Sequence, residues 1–238
     1  MSEAVSTNPV SRGLRWAWPA LGLFVVSLLL LGGWLADELI EGEHWSLDTA
    51  ILLALRHPHD LAQPIGPGWL LQSTVDISAL GGDTLLWLFG LAGGAWLLFA
   101  GKRAEAAWIA LSLIGATVLN GMLKAWIARP RPELVPHLVH VTHASFPSGH
   151  AMVSAAIYLT LGLMLAEGIE PNGWRDRAAR VAVVGFFAAL AVLIGMSRVY
   201  LGVHWPSDVL AGWCFGTAWA LLVWAANRWW HGRRAAPS

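Results

Sequence analysis

Two histidines and an aspartate in the second half of the 238-residue chain have the types and spacing of a catalytic set. His204 and Asp208 are four residues apart across Pro206, which can begin a helix, so the carboxylate can reach one imidazole nitrogen from the first helical turn. A histidine held in this way presents its other nitrogen as a nucleophile or a base. His150 supplies a second side chain able to transfer a proton.

Three basic side chains lie at the edges of hydrophobic segments near these histidines. Lys124 and Arg131 are seven residues apart, so a helix that runs to Arg129 and continues as extended Arg-Pro-Arg-Pro can direct both to one place. Arg198 can join them from the end of a later span. Each cation alone would be interpreted as a snorkelling residue at the membrane surface. Together they suit a dianionic phosphoryl group, because arginine can bind two oxygens at once.

The segment Pro147-Ser148-Gly149-His150 predicts the start of a helix, because proline is favoured in the first helical position. We expect the free N–H groups of Ser148, Gly149 and His150 to point outward and bind an anion, since the helix dipole favours negative charge there. An ordinary helix cap without a ligand is the alternative interpretation.

The composition indicates a membrane protein. The chain is 56% hydrophobic and 13% charged, whereas a soluble domain is about 45–50% apolar and about 25% charged. The net charge of zero argues against a basic surface for nucleic acid. Six runs free of Asp, Glu, Lys and Arg approach or reach the length of a membrane span. They are Trp16–Ala36, Thr84–Gly101, Ala106–Leu123, Gly149–Ala166, Val181–Met196 and Val209–Asn227.

These runs predict an all-α polytopic membrane protein, a bundle of six transmembrane helices in a single domain over residues 1–238. Between the first two spans, residues 37–83 mix acidic and apolar residues, which predicts one or two short amphipathic helices on the external membrane surface. The first span is too long for a secretory signal and is expected to be an uncleaved anchor. Gly90-x-x-x-Gly94 and Gly212-x-x-x-Gly216 are expected to be close-packing faces between spans.

Basic residues predict the orientation of the bundle. Ten of the fifteen Lys and Arg residues fall on one side of the six-span arrangement. The positive-inside bias therefore places residues 1–15 and the tail 229–238 in the cytoplasm. The segment 124–208, which begins and ends with the candidate site residues, then has its polar motifs on the opposite, external face.

A metal site is the main alternative for the remaining histidines. His137, His140 and His143 recur at three-residue spacing and have a side chain common among zinc ligands. Prolines interrupt helix formation in this region, and the nearby Glu133 lies outside the repeat, which disfavours this alternative. The single cysteine, Cys214, excludes an intrachain disulfide and a cysteine-cluster metal site.

The motifs together resemble the type 2 phosphatidic acid phosphatases of membranes, whose signature is K-x6-RP, PSGH and SR-x5-H-x3-D. The chain has Lys124 followed by Arg131-Pro132, then Pro147-Ser148-Gly149-His150, and finally Ser197-Arg198 followed by His204 and Asp208. Every spacing of the signature matches, over about residues 124–208.

The resemblance implies a role for each matching residue. It implies that His204 is the nucleophile that forms a phosphohistidine, oriented by Asp208. His150 is then the general acid that protonates the leaving oxygen and afterwards the base that activates water. Neither a metal nor another cofactor is implied. The residues implied to bind the phosphoryl oxygens are Lys124, Arg131, Ser148, Gly149 and Arg198.

The expected function is therefore a membrane lipid phosphatase with its site on the external or periplasmic face of a bacterial cytoplasmic (inner) membrane. The resemblance implies a lipid phosphate as substrate, of the undecaprenyl diphosphate, phosphatidylglycerol phosphate or phosphatidate class. A lipid phosphotransferase that uses the same phosphohistidine is the first alternative. A non-catalytic transporter or scaffold for anionic lipids is the second, disfavoured by the paired histidines and by the lack of an inverted repeat.

Overall fold

Helices account for most of the computed structural model, which describes residues 9–40, 46–170 and 172–235. Its long helices are α1 (Pro9–Ile40), α4 (Asp83–Phe99), α5 (Arg103–Ile127), α6 (Gly149–Glu167), α7 (Trp174–Tyr200) and α8 (Pro206–Ala235). Its short elements are α2 (Ser46–Ala54), β1 (Arg56–His57), β2 (Asp60–Pro64) and α3 (Gly68–Ala79). The expected termini 1–15 and 229–238 lie partly outside the described residues, at 1–8 and 236–238.

The predicted all-α membrane fold is confirmed. Among the described residues, five helices are long and apolar enough to cross a bilayer. A sixth span results if α3 and α4, which meet at a 47° bend, are counted as one. Five of the six predicted runs lie within single helices, and the sixth, Thr84–Gly101, extends two residues beyond α4. By itself α4 is 17 residues long, so the second span needs its bent neighbour α3 to reach across.

The segment 37–83 contains the two predicted short helices, α2 and α3, and also a hairpin that the sequence did not predict. Its residues 41–45 lie outside the described part. Strands β1 and β2 are antiparallel, with Arg56 opposite Pro64. The Arg56 side chain is buried and donates from Nη1 to the carbonyl of Tyr200 at 2.9 Å. This contact fixes the hairpin against the end of α7, next to the segment that contains His204.

Helix α6 lies at the centre of the bundle and packs against α5, α7 and α8. Its contact with α8 is close because two glycines face it. A Cβ at Gly216 would lie 2.2 Å from the carbonyl oxygen of Met152, and one at Gly212 would lie 3.0 Å from that of Ser148. The predicted close-packing role of this pair is confirmed. In the other pair, Gly90 faces Leu113, but a Cβ at Gly94 would meet no atom within 4 Å.

The helix order brings all three motifs to one end of the bundle. Helix α5 ends where the chain enters the segment 128–148, and α6 begins directly after it. Helix α7 ends and α8 begins at the same end, separated by residues 201–205. The antiparallel arrangement of consecutive helices therefore places residues that are up to 84 positions apart around one space.

Candidate active site

His204 and Asp208 form the centre of the site. His204 lies in the turn between α7 and α8 and is 2% exposed, and its Nδ1 lies 3.4 Å from Oδ2 of Asp208 in the first turn of α8. The same carboxylate oxygen accepts hydrogen bonds from the backbone N–H of Trp205 at 2.9 Å and from the hydroxyl of Ser145. The spacing of four residues predicted the first contact. The Ser145 contact connects positions 63 apart and was not predicted.

The second imidazole nitrogen of His204 faces Arg131. Nη1 of Arg131 lies 3.2 Å from Nε2 of His204. Because a guanidinium can only donate, Nε2 accepts, and the ring proton then resides on Nδ1, towards Asp208. Burial lowers the pKa of His204 to about 4, although the hydrogen bond with Asp208 and its negative charge act to raise it. The imidazole is therefore neutral at pH 7, with a lone pair on Nε2.

Lys124, in the last turn of α5, and Arg131, in the segment that follows α5, reach the same cavity. The chain leaves α5 at Ala128, which has a left-handed φ of 49°, and Pro130 prevents the helix from continuing. Nε of Arg131 donates to the carbonyl of His143 at 2.7 Å, and Nζ of Lys124 donates to that of Ala144 at 2.5 Å. Both cations are thus held by backbone carbonyls of one extended segment. The sequence predicted that they meet, but the carbonyls that position them were not predicted.

Arg198 in the last turn of α7 is the third cation of the site. Its Nη1 donates to Oγ of Ser78 at 2.6 Å, while its buried Nε has no hydrogen-bond partner among the described residues. A buried charged donor without a partner is costly unless a ligand binds it. The free Nε of Arg198 is consistent with an anion bound beside it.

The start of α6 differs from the sequence prediction. Ser148 is the N-cap and Gly149 the first helical residue, so Pro147 lies before the helix. The N–H of Ser148 is not free, because it donates to the carbonyl of Asp208 at 3.0 Å. Only the N–H groups of Gly149 and His150, which as first-turn residues have no acceptor in their own helix, fit the predicted anion site. The N–H of Ser148 instead joins the start of α6 to the start of α8.

A cavity of about 590 Å³ connects these residues. Asp208 lies behind His204 and does not line it, and Ser148 is fully buried outside the lining, with an Oγ that no described residue binds. The half-buried ring of His150 lies on the wall next to the turn between α3 and α4. The predicted residues that line the cavity are Lys124, Arg131, Gly149, His150, Arg198 and His204.

A second layer of polar and charged residues, which the sequence did not assign, lies behind His204 and Asp208. Arg129 donates from Nη1 to Oδ1 of Asp208 at 2.6 Å and from Nη2 to Oδ2 of Asp48 at 2.9 Å. Asp48 also accepts from the N–H of Ser207 at 2.9 Å. All four residues are buried. The signal in the sequence was an aspartate within the apolar run of α2, where an unpaired carboxylate would be costly.

The three histidines considered as metal ligands do not form a site. No group of three or more His, Cys, Asp or Glu residues in the described ranges is arranged to hold a metal ion. Nε2 of His137 lies 2.7 Å from the carbonyl of Pro132, whereas His140 and His143 line the cavity that contains His204. The metal alternative therefore has no geometric support.

Comparison with known proteins identifies the family. The model of the PAP2 superfamily matches residues 105–231, which is more than half of the chain. The chain belongs to the PAP2 superfamily. It is a multi-pass membrane phosphatase of that superfamily, as the three motifs predicted.

Two curated PAP2 relatives and one solved structure show the extent of the similarity. The chain is 36% identical to phosphatidylglycerophosphatase B of Bacillus subtilis, over 65% of this chain and 74% of that protein. It is 32% identical to an undecaprenyl-diphosphatase of Sulfolobus acidocaldarius, over 51% of this chain and 54% of that protein. The crystal structure of a transmembrane PAP2-type phosphatidylglycerolphosphate phosphatase from Bacillus subtilis superposes with a TM-score of 0.73 at 32% identity, covering 86% of this chain and 96% of that one.

Proposed function

We propose that this protein hydrolyses a lipid phosphate through a phosphohistidine formed on His204. The observation that carries the proposal is the position of the imidazole: Nδ1 lies 3.4 Å from Oδ2 of Asp208, and Nε2 lies 3.2 Å from Nη1 of Arg131 at a cavity lined by three cations. A neutral imidazole with one nitrogen oriented by a carboxylate is an activated nucleophile. Three cations can stabilise the charge that the transferring phosphoryl group spreads over its oxygens.

In the first half-reaction, Nε2 of His204 attacks the phosphorus atom and the bond from phosphorus to the bridging oxygen breaks. His150 donates a proton to that oxygen as the alcohol or lipid phosphate leaves. Arg131, which already contacts Nε2, is placed to bind a phosphoryl oxygen as the new bond forms. Asp208 stabilises the positive charge that develops on the ring of His204.

In the second half-reaction, water replaces the leaving group on the side of His150. The neutral imidazole of His150 now takes a proton from water as the water oxygen attacks phosphorus. The bond between phosphorus and Nε2 of His204 breaks and inorganic phosphate is released. No step requires a metal ion, since Lys124, Arg131 and Arg198 supply the positive charge.

We also propose which membrane contains the protein and on which face its active site lies. A site at one end of a membrane bundle receives a lipid substrate by lateral diffusion, and α2 and α3 contact residues at that end through Asp48 and Ser78. The bias of basic residues supports cytoplasmic termini and a site on the external or periplasmic face of a bacterial cytoplasmic membrane. The similarity to a phosphatidylglycerophosphatase and to an undecaprenyl-diphosphatase supports a lipid phosphate as substrate, such as phosphatidylglycerol phosphate or undecaprenyl diphosphate.

Phosphate release from purified protein in detergent tests this function. We expect wild-type protein to release inorganic phosphate from a single lipid phosphate with water as the only acceptor, and His204→Ala to release none. Release that requires a second lipid as acceptor would identify a phosphotransferase instead. Binding of the lipid without turnover would contradict the proposal and favour an anionic-lipid carrier.

A further inference from the structure

The wall of the cavity next to His150 is the turn between α3 and α4. A Cβ added at Gly82 would lie 3.9 Å from Nε2 of His150, and one added at Gly81 would lie 3.5 Å from its Cβ. The oxygen that His150 protonates must lie within hydrogen-bonding distance of this ring. The leaving group therefore passes along this turn.

Two hydrogen bonds fix this turn relative to α6 and to Arg198. The hydroxyl of Tyr158, two turns along α6 from His150, donates to the carbonyl of Leu80 at 2.8 Å. Ser78, at the end of α3, accepts the hydrogen bond of Arg198 at 2.6 Å. The turn between α3 and α4 is thus bound both to α6, which contains His150, and to Arg198. Its residues therefore have a defined position relative to the reacting atoms.

Asp83 follows Gly82 in this wall as the first residue of α4. It is the one carboxylate among the described residues that line the cavity, and it is close enough to Lys124 to interact with its charge. No hydrogen-bond donor in the described part of the chain binds its exposed carboxylate. An aspartate in a first helical turn is favourable for the helix dipole. The interaction with the helix dipole does not require the carboxylate to face a cavity that binds anions. Asp176 makes the same interaction in the first turn of α7 without lining this cavity.

We propose that Asp83 selects the leaving group of the reaction, an inference that rests on the phosphatase function proposed above. In every substrate the bond from phosphorus to the bridging oxygen breaks and His150 protonates that oxygen. A phosphomonoester then releases an alcohol whose hydroxyl at the former bridging position is uncharged, and a neighbouring hydroxyl of that leaving group can donate to the Asp83 carboxylate. A diphosphate releases a lipid monophosphate, whose negative charge Asp83 repels. The geometry therefore favours lipid phosphomonoesters with a hydroxylated leaving group, such as a glycerol, over lipid diphosphates.

The test is a ratio of two kcat/KM values measured on the same protein sample, one for phosphatidylglycerol phosphate and one for undecaprenyl diphosphate. Asp83→Asn removes the charge and keeps a hydrogen-bond acceptor. We expect it to raise the ratio of diphosphate to monoester by about tenfold, as removal of one partly solvated like charge predicts. Asp83→Ala should raise the ratio further, because it also removes the acceptor for the hydroxyl of the monoester. The matched control Asp176→Asn also neutralises an aspartate in a first helical turn and should leave the ratio unchanged.

Ionic strength provides a second measurement. Salt screens the repulsion between Asp83 and a charged leaving group, so salt should raise the ratio in wild-type protein more than in Asp83→Asn. An unchanged ratio in Asp83→Asn, or an equal change in Asp176→Asn, would overturn the inference. Because both substrates report on the same folded fraction, a partly unfolded variant still gives a valid ratio. If wild-type protein hydrolysed neither substrate, the proposed function would fail instead.

Discussion

Arg129 and Asp208 form a buried ion pair behind His204, with Nη1 of the arginine 2.6 Å from Oδ1 of the carboxylate. Because Oδ1 is occupied by Arg129, the other oxygen, Oδ2, is left for His204, Ser145 and the N–H of Trp205. The other terminal nitrogen of Arg129, Nη2, binds Asp48, so the orientation of the Asp208 carboxylate depends on α2, an element far away in the sequence.

Removal of the Arg129 charge should destabilise the protein strongly. Arg129→Met leaves Asp48 and Asp208 buried without their shared partner, and loss of one member of a buried pair costs about 3–5 kcal/mol. Thermal unfolding in detergent measures the effect. The control is Arg228→Met, because Arg228 is half exposed and lies 3.5 Å from Glu167; an exposed pair contributes about 0–1 kcal/mol. Equal effects of the two substitutions would show that the Arg129 network does not hold the site together.

The protonation state of His204 gives a prediction about pH. Its folded-state pKa is lowered by burial to about 4, from an ordinary value of 6.5. The ring should therefore stay neutral, with its proton on Nδ1, as pH falls from 7 towards 5. The nucleophile is then lost only as pH passes through about 4. Nitrogen NMR shifts of histidine-labelled protein in detergent, assigned with His204→Ala, measure this titration. Protonation with a midpoint near 6.5 would contradict the buried, desolvated environment.

The lowered pKa of His204 also predicts how the free energy of unfolding depends on pH. Between pH 6.5 and about 4 the unfolded chain binds a proton at His204 and the folded protein does not. The His204 contribution to the free energy of unfolding should therefore decrease as pH falls through this range. His204→Asn should remove that part of the dependence. Unfolding midpoints of the two proteins that stay parallel from pH 7 to 4 would contradict this assignment.

Metal independence follows from the three cations of the cavity. We expect phosphate release to survive dialysis against EDTA, because Lys124, Arg131 and Arg198 neutralise the phosphoryl oxygens. Vanadate should inhibit, because it can adopt the geometry of the transferring phosphoryl group and binds where the transition state is stabilised. Loss of activity with EDTA and its recovery with zinc or magnesium would restore the interpretation of His137, His140 and His143 as metal ligands.

The sequence predicted contacts between residues that are close together in the sequence or that belong to a recognised motif. His204 and Asp208 are one helical turn apart, so their pairing follows from spacing. Ser145 donates to the same carboxylate from 63 residues before Asp208. Asp48, 160 residues before Asp208, acts on it only through Arg129, and no local pattern connects these positions. The N–H of Ser148 was misassigned for a related reason: helix geometry leaves it free, and only the tertiary contact with the carbonyl of Asp208 shows that it is occupied.

The orientation of the bundle can be tested with single cysteines in a background that lacks Cys214. Cysteine replaces Ser6 in one protein and the exposed Glu133 in another. We expect a membrane-impermeant thiol reagent to label position 133 in intact inner-membrane preparations with the outer face exposed. Position 6 should react only after the membrane is permeabilised, because the basic residues place the N-terminus in the cytoplasm. The reverse pattern would place the active site on the cytoplasmic face.

The two histidines should have separable roles. His204→Ala removes the attacking atom, so neither turnover nor a trapped phosphoenzyme is expected. His150→Ala removes only the proton donor and base, so a substrate with a good leaving group should still phosphorylate His204 and then stall, because no base activates water. Radiolabel retained on the protein after an acid-free quench, with an activated phosphoester as substrate, distinguishes the two. Asp208→Asn should keep substrate binding and lower the rate, because it removes the charge that favours the imidazolium. Label on His204→Ala and none on His150→Ala would reverse the assignment of nucleophile and proton donor.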